Sequence, residues 1–204
     1  MNTQTKKQNN LLFKLTLSAI FIALGTVLSL VKLFQMPLGG SVTLVSTLPL
    51  LLLAYMFGVR WGLLCGFVYS LIQMFMSLGA AMGWGMTPFN LVGMLLFDYI
   101  IAYTVLGFAG VPKAIMGAKD RKLSTTNKAV TYFGGFMLAT LLRLCSHIIS
   151  GMIFCAAWMP EEWDNLFLYS LAYNGGFLAP DFAITLVAAA AVFVPISKLQ
   201  ERYL

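Results

Sequence analysis

The sequence has few charged residues, because Asp, Glu, Lys and Arg make up only 10% of its 204 residues. Soluble domains carry about 25% charged residues. Here 60% of the residues are hydrophobic and the mean hydropathy is +0.86. A single soluble core could not hide so much apolar surface. We therefore expect one integral membrane domain over residues 1–204, with the lipid bilayer as its solvent.

Cysteine and histidine are also scarce, with three cysteines and one histidine in the chain. Cys65, Cys145 and Cys155 lie inside apolar segments and form neither a CxxC motif nor a Cys/His metal pattern. The GxxxxGK[ST] loop with which many ATPases bind phosphate is absent as well. We expect no metal, no other cofactor, no catalytic residues and no ATP hydrolysis by this chain.

Acidic residues are outnumbered by basic ones, 7 against 13. Such an excess can indicate nucleic-acid binding, but here the basic residues occur in short pieces between hydrophobic runs. This distribution is typical of the charges that orient a membrane protein. It predicts no nucleic-acid partner.

Six apolar runs approach the roughly 20 residues that a helix needs to cross a bilayer. They are residues 11–33, 44–58, 61–78, 89–109, 128–157 and 165–196. None shows the alternation of a membrane β-barrel, so the prediction is an all-α, polytopic protein with six transmembrane helices. The second run is short and should be shielded by its neighbours. The first is too long for a cleavable signal and should remain as a helix, while Pro180 predicts a bend or break in the last run.

The positions of the basic residues predict the orientation, since Lys and Arg are enriched on the cytoplasmic side. Six spans place these on one side: Lys6, Lys7, Lys14, Arg60, Lys113, Lys119, Arg121, Lys122, Lys128, Lys198 and Arg202. Lys32 alone remains opposite, with the acidic loop of Glu161, Glu162 and Asp164. Both termini are therefore predicted to be cytoplasmic. Residues 1–10 form a polar cytoplasmic tail and residues 112–127 a basic cytoplasmic loop.

Four ionisable residues lie within the predicted spans, where each costs at least a few kcal/mol unless it is paired or faces a cavity. Counted at about 1.5 Å per residue, Asp98 and His147 share one layer in the outer half of the membrane with Asn174. Arg143 and Asp181 lie deeper, and we interpret them as a buried pair that joins the fifth and sixth helices.

Aromatic side chains surround the layer of Asp98, His147 and Asn174. They are Tyr99, Tyr169 and Tyr173 in or just above it, and Trp84, Trp158 and Trp163 near its mouth. A carboxylate, an imidazole, an amide and several rings together suit a flat, positively charged ligand. Alternatively, the aromatic residues form the usual belt at the membrane interface, and His147 only packs between helices.

Two stretches of the last two spans, residues 143–151 (RLCSHIISG) and 169–175 (YSLAYNG), resemble the thiamine-specific S component of energy-coupling factor transporters. Residues 35–43, 97–99 and 107–110 also look like the pattern of that family, and the resemblance covers nearly the whole chain. It implies a multi-pass subunit of a prokaryotic plasma membrane that binds thiamine from outside. It also implies delivery through a membrane coupling protein and two ATPase subunits.

The resemblance implies which residues contact thiamine. They are Asp98, Tyr99, His147, Tyr169 and Asn174. Some members of the family have Glu where this chain has Asp98. A stacking Trp is expected eight residues after the histidine, but that position is Cys155 here, and Trp158 one helical turn later is the substitute that we assign.

The first helix carries an Ala-x-x-x-Ala step at Ala19 and Ala23, which would let another helix approach closely. The spacing alone fits packing inside the chain equally well. The resemblance implies that these small residues instead dock the coupling protein.

Two other functions remain as alternatives. The first is a stand-alone, proton-coupled secondary transporter of a small cationic heterocycle, with Asp98, His147 and Asp181 as a proton relay, although no two-fold repeat of broken helices is visible. The second is an intramembrane enzyme that uses His147 with Asp98 as a base. No nucleophile motif accompanies that pair, so we expect a protein that is not an enzyme.

Overall fold

Six main helices and one hairpin form the fold in a computed structural model that describes residues 3–117 and 123–203. Side chains are described for residues 11–37, 39–117 and 123–200. The helices are α1 (Thr3–Leu30), α2 (Leu48–Phe57), α3 (Val59–Met82), α4 (Pro88–Ile115), α5 (Thr125–Phe154) and α6 (Leu166–Tyr203). All except α2 are long and apolar enough to cross a membrane. The predicted all-α architecture of six membrane helices is confirmed.

Helix α2 is the short second helix that the sequence predicted. Its ten residues extend only about 15 Å, half of a hydrocarbon core of about 30 Å. Every residue from Leu48 to Met56 is buried, so neighbouring helices shield α2 from lipid. At its end, Lys113 Nζ donates to the Tyr55 carbonyl at 3.1 Å and Gln200 Nε2 to the Met56 carbonyl at 3.4 Å. These bonds satisfy carbonyls that a helix end leaves free.

Tyr132 on α5 lies at the centre of the apolar core. Its ring meets that of Tyr55 edge-to-face, with centroids 5.0 Å apart, and its hydroxyl donates to the Ala189 carbonyl on α6 at 3.1 Å. One buried side chain therefore ties α2, α5 and α6 together.

Glycines let α3 and α4 approach each other closely. A Cβ on Gly62 would lie 3.0 Å from the Cα of Gly107, and a Cβ on Gly66 would lie 2.6 Å from the Tyr103 carbonyl oxygen. Without side chains at these points, the two backbones gain direct van der Waals contact. This contact fixes the position of α4 in the bundle.

The first loop contains a hairpin that the sequence did not indicate. Strand β1 (Lys32–Gln35) pairs antiparallel with strand β2 (Ser41–Thr43). A short 3-10 turn, Pro37–Gly39, connects them, and Gly39 has a φ of +97° that favours glycine. Because β1 begins at Lys32, α1 ends before the predicted boundary at residue 33.

Helix α6 fixes the position of the hairpin. Val42 of β2 forms an apolar cluster with Phe177 and Leu178, and the Tyr173 hydroxyl donates to the carbonyl of Pro37. The hairpin therefore lies over α6. That helix continues without a break through Pro180, so the break predicted there does not occur. The irregular helix is α4, which contains a π-helical segment, Leu96–Ile101, and a 3-10 segment, Val105–Gly110.

Several basic side chains gather at one end of the bundle. Lys14 Nζ lies 5.6 Å from the ring centroid of Phe57 and 6.0 Å from that of Trp61, and Arg60 immediately precedes Trp61 in the chain. Lys113 is at the same end of α2. Of the other residues used for the orientation, Lys119, Arg121 and Lys122 lie outside the described residues, as do the side chains of Lys6, Lys7 and Arg202.

Candidate ligand-binding site

An acid and an imidazole meet between α4 and α5. His147 Nδ1 lies 2.9 Å from Asp98 Oδ1, and both side chains are largely buried. A carboxylate only accepts, so Nδ1 carries the proton of this hydrogen bond and a neutral ring keeps Nε2 as an acceptor. Among the described residues, Nε2 is buried without a hydrogen-bond partner. The pair leaves one imidazole nitrogen available to a ligand.

Asn174 on α6 is oriented by its amide nitrogen. Nδ2 donates to the Ser170 carbonyl at 2.9 Å, to Ser170 Oγ at 3.2 Å and to the His147 carbonyl at 3.4 Å. These bonds direct the nitrogen into the α5–α6 contact. The amide oxygen is the group that Asn174 retains for a ligand, as an acceptor.

Aromatic rings form the walls of the site. The rings of Trp84 and Trp158 meet edge-to-face with centroids 5.9 Å apart. Tyr169 and Tyr173 are successive rings on α6, 6.2 Å apart. Trp158 belongs to a 3-10 turn, Ala156–Trp158, that follows α5. The indole rings that follow α3 and α5 and the phenol rings of α6 thus meet at one cavity.

The cavity has two overlapping lobes. An aromatic lobe of about 490 Å³, part of it open to solvent, is lined by Trp84, Asp98, His147, Gly151, Cys155, Trp158, Tyr169, Ser170, Tyr173 and Asn174. A polar lobe of about 620 Å³, also partly open, adds Tyr99, Tyr103, Arg143, Thr43 and the turn of the hairpin. Asp98, His147 and Asn174 line both lobes. All six residues predicted to bind the ligand line the cavity.

Arg143 and Asp181 form the predicted pair between α5 and α6, although their closest atoms, Nη1 and Oδ2, are 3.9 Å apart. Asp181 Oδ1 instead accepts from the Thr43 backbone N–H at 2.8 Å and from Thr43 Oγ1 at 2.9 Å. The Arg143 guanidinium lies 4.7 Å from the Tyr103 ring centroid. Its Nε has no partner among the described residues. Arg143 is therefore a wall residue of the polar lobe, a role that its depth in the membrane did not indicate.

Trp84 and Tyr173 also line the cavity but were not among the predicted ligand contacts. The sequence did place both residues near the polar layer. That position alone could not identify them as ligand contacts, because single aromatic residues are common near a membrane interface. Trp163 lines neither lobe and packs on Tyr169 with centroids 5.5 Å apart. Cys155 lies in the wall where the resemblance implied an indole.

Ala19 and Ala23 are both exposed on α1. Ile20, between them, is 56% exposed as well. Ser18 faces the opposite way, is buried, and accepts from Trp61 Nε1 at 2.8 Å. The Ala-x-x-x-Ala step is therefore not used for packing among the described helices of this chain.

Comparison with known proteins supports a single family. The model of the family described as "Thiamine transporter protein (Thia_YuaJ)" matches residues 15–201. The chain is 29% identical over 199 residues to the thiamine transporter ThiT of Bacillus subtilis (strain 168), covering 94% of this chain and 96% of that protein. It is 27% identical over 157 residues to the thiamine transporter ThiT of Lacticaseibacillus paracasei, covering 74% and 73%.

A solved structure of ThiT from Listeria monocytogenes has the same fold. Its TM-score with this chain is 0.69 at 19% sequence identity, over 93% of this chain and 97% of that one. The relatives are named as transporters, which agrees with the expectation that the chain is not an enzyme. The chain therefore belongs to the thiamine transporter protein family, Thia_YuaJ, and is a multi-pass protein of the cell membrane.

Proposed function

We propose that this chain is the thiamine-binding membrane subunit of an energy-coupling factor importer, which captures thiamine from outside the cell. The observation that carries the proposal is the pair of Asp98 and His147, 2.9 Å apart in an aromatic cavity. A largely buried carboxylate beside aromatic faces favours a flat, cationic ligand. Thiamine, after which the relatives are named, has a permanently charged thiazolium ring and a flat aminopyrimidine ring.

The geometry supports a specific placement of the ligand. The thiazolium charge lies near Asp98, and the pyrimidine stacks on the aromatic wall that includes Trp158. The Asn174 amide oxygen and the Tyr169 hydroxyl contact the polar edge of the pyrimidine, because an acceptor next to a donor can read such an edge. Tyr99 lines the polar lobe. Binding needs no covalent step, since each contact is a charge, a ring face or a hydrogen bond.

Release of thiamine into the cell requires partners. The chain has no phosphate-binding loop of the GxxxxGK[ST] type. We propose that a membrane coupling protein docks on the exposed step of Ala19 and Ala23, and that two ATPase subunits drive the transport cycle. The exposure of both alanines on α1 supports this assignment, because a second helix could approach there without displacing any described helix.

The basic end of the bundle near Lys14, Arg60 and Lys113 faces the cytoplasm in this proposal, and both termini lie on the same side. Native Cys145 is exposed and Cys155 lines the partly open cavity, so the three native cysteines are first replaced by serine. In that protein, single cysteines introduced at Thr126 and at Glu162, both exposed, test the orientation in intact cells. A membrane-impermeant maleimide should label the Glu162→Cys protein and leave the Thr126→Cys protein unlabelled. The reverse pattern would contradict it.

The proton-relay alternative is less consistent with the geometry. A relay needs Asp181 to exchange protons with the pair of Asp98 and His147. Instead, Asp181 Oδ1 accepts two hydrogen bonds from Thr43, and its ionic partner is Arg143. Its carboxylate is therefore engaged in holding the hairpin and the α5–α6 contact.

Mass spectrometry of the ligand that copurifies with the protein tests the proposed ligand. Cells grown with thiamine should yield protein that releases thiamine on denaturation. Protein with Asp98→Asn, prepared in parallel, should release much less. Release of a different compound in stoichiometric amount would overturn the assignment of thiamine.

A further inference from the structure

Helix α4 changes its hydrogen-bonding pattern where it reaches the site. Over Leu96–Ile101 the helix is π-helical, and the Ala102 N–H bonds to the carbonyl of Phe97, five residues earlier. A π-turn is rare and is found frequently at functional sites. It changes the direction in which its side chains project relative to the α-helical turns on either side.

The turns on both sides of the π-segment are held by close packing. Before it, Gly93 lies against the ring of Phe154, where any Cβ would overlap that ring. After it, Gly107 lies directly on the backbone of α3 at Gly62. The π-segment therefore lies between two close contacts, and Asp98 within it meets His147 of α5.

One side chain of α5 bonds to this turn. Ser146 Oγ donates to the Phe97 carbonyl at 2.6 Å, and Ser146 is buried. The next residue on each helix belongs to the hydrogen-bonded pair, in which His147 meets Asp98. The same carbonyl thus accepts the π-helical bond and a bond from the neighbouring helix. Two adjacent links set how far α4 is rotated against α5.

We propose that Ser146 is a positioning residue of the binding site, which holds the π-turn at Phe97 so that Asp98 reaches the imidazole of His147. Ser146 lines neither lobe of the cavity, so its effect on a ligand passes through the pair. The consequence for thiamine affinity rests on the proposed function. The predicted change at the His147 ring does not depend on the proposed function, because it is measured in the protein without ligand.

The chain has a single histidine, so a change at the His147 ring can be measured without overlap from other histidines. Protein labelled with ¹⁵N only in histidine, and purified through a tag without histidine, gives the ring signals of His147 alone. Asp98→Asn supplies the reference spectrum of a ring without its carboxylate. Ser146→Ala should move the wild-type signals toward that reference and weaken thiamine binding about three- to tenfold, the usual effect of one hydrogen bond.

Two further variants separate positioning from general loss of structure. Ser150→Ala removes a hydroxyl one turn later on α5 that is fully buried and has no hydrogen-bond partner among the described residues, and it should retain the wild-type signals. Ser146→Thr keeps a hydroxyl and should restore them. If Ser146→Ala does not fold, Ser146→Cys keeps the shape of the side chain, slightly larger and with a weaker donor, and should give signals between those of wild type and Asp98→Asn.

Unchanged ring signals in Ser146→Ala, or in the Cys variant if that one is used, would overturn the positioning role, whatever happens to affinity. An equal change in Ser150→Ala would also overturn it. If the wild-type protein does not bind thiamine at all, the proposed function fails, and the ring signals measured without ligand still decide the role of Ser146.

Discussion

At the scale of single residues, the site depends on a carboxylate that the membrane would not tolerate alone. The Asp98 carboxylate accepts a hydrogen bond from His147, and Asp98 also lines the ligand cavity. Replacing Asp98 by Asn keeps the shape and removes the charge. We expect thiamine binding to weaken by about 1–3 kcal/mol, because a charge interaction in a partly desolvated site is lost.

Calorimetry on the purified variant measures this loss. Asp164→Asn is the matched control, since Asp164 is an exposed acid that lines neither lobe. It should bind as wild type does. Equal affinity in Asp98→Asn and wild type would show that Asp98 is structural.

Trp158 should supply ring contact in place of the indole that is absent at Cys155. Trp158→Ala is expected to weaken thiamine binding by roughly 1 kcal/mol, the scale of one aromatic contact, with its partner ring Trp84 limiting the loss. Trp163→Ala should have a smaller effect, because Trp163 lines neither lobe. If the order of the two affinities is reversed, Trp158 is not the stacking ring.

Depth in the membrane was sufficient to predict some of the site. Asp98, His147 and Asn174 could be placed in one layer because residue number converts to depth along a regular helix, and the structure brings them together. The same count placed Arg143 below the layer. It missed the role of Arg143 because a long side chain reaches away from its own Cα. Thr43 was missed because no local pattern links a loop residue to Asp181.

At the scale of secondary-structure elements, the hairpin covers the polar lobe and depends on a contact that only glycine permits. A Cβ on Gly40 would lie 2.7 Å from the Phe177 ring, so Gly40→Ala must displace the turn or the ring. We expect a loss of about 1–3 kcal/mol in stability, as for other overpacked sites, and faster release of thiamine.

Thermal unfolding and a dissociation assay measure the two effects. Gly79→Ala is the control, because a Cβ there meets nothing within 4 Å and alanine favours the helix. It should be as stable as wild type or more so. Gly40→Ala protein with wild-type stability and release would show that the hairpin is not fixed at this point.

The elements were predicted to different degrees for identifiable reasons. Hydropathy located all six helices, and the length of the second run predicted a shielded helix. The strands of residues 32–43 were missed because they are short and carry no alternating pattern. The π-turn at Leu96–Ile101 was missed because it follows from packing on both sides of it, at Gly93 and Gly107, rather than from a local proline or glycine signal.

At the scale of the whole molecule, α1 presents a surface that the chain does not use itself. A large cation at Ala19 would prevent close approach of another helix, while the cavity between α4, α5 and α6 would be unaffected. Ala19→Arg should therefore abolish thiamine uptake in cells and leave binding by the purified protein unchanged. Ala23→Arg should behave in the same way.

Ala190→Arg on α6 is the matched control, because Ala190 is also an exposed alanine. An arginine there brings the same energetic cost of placing a charge in lipid. Uptake should continue in that variant. Loss of both uptake and binding in Ala19→Arg would indicate misfolding, and normal uptake would remove this surface as the docking site.

The proposed function requires that this chain alone binds thiamine in the cavity of Asp98 and His147. Calorimetric titration of thiamine into the purified, ligand-free protein, without nucleotide or partner subunits, measures it most directly. We expect saturable binding of one thiamine per chain at micromolar protein, weakened in Asp98→Asn. No heat and no competition by thiamine under these conditions would contradict the proposed function.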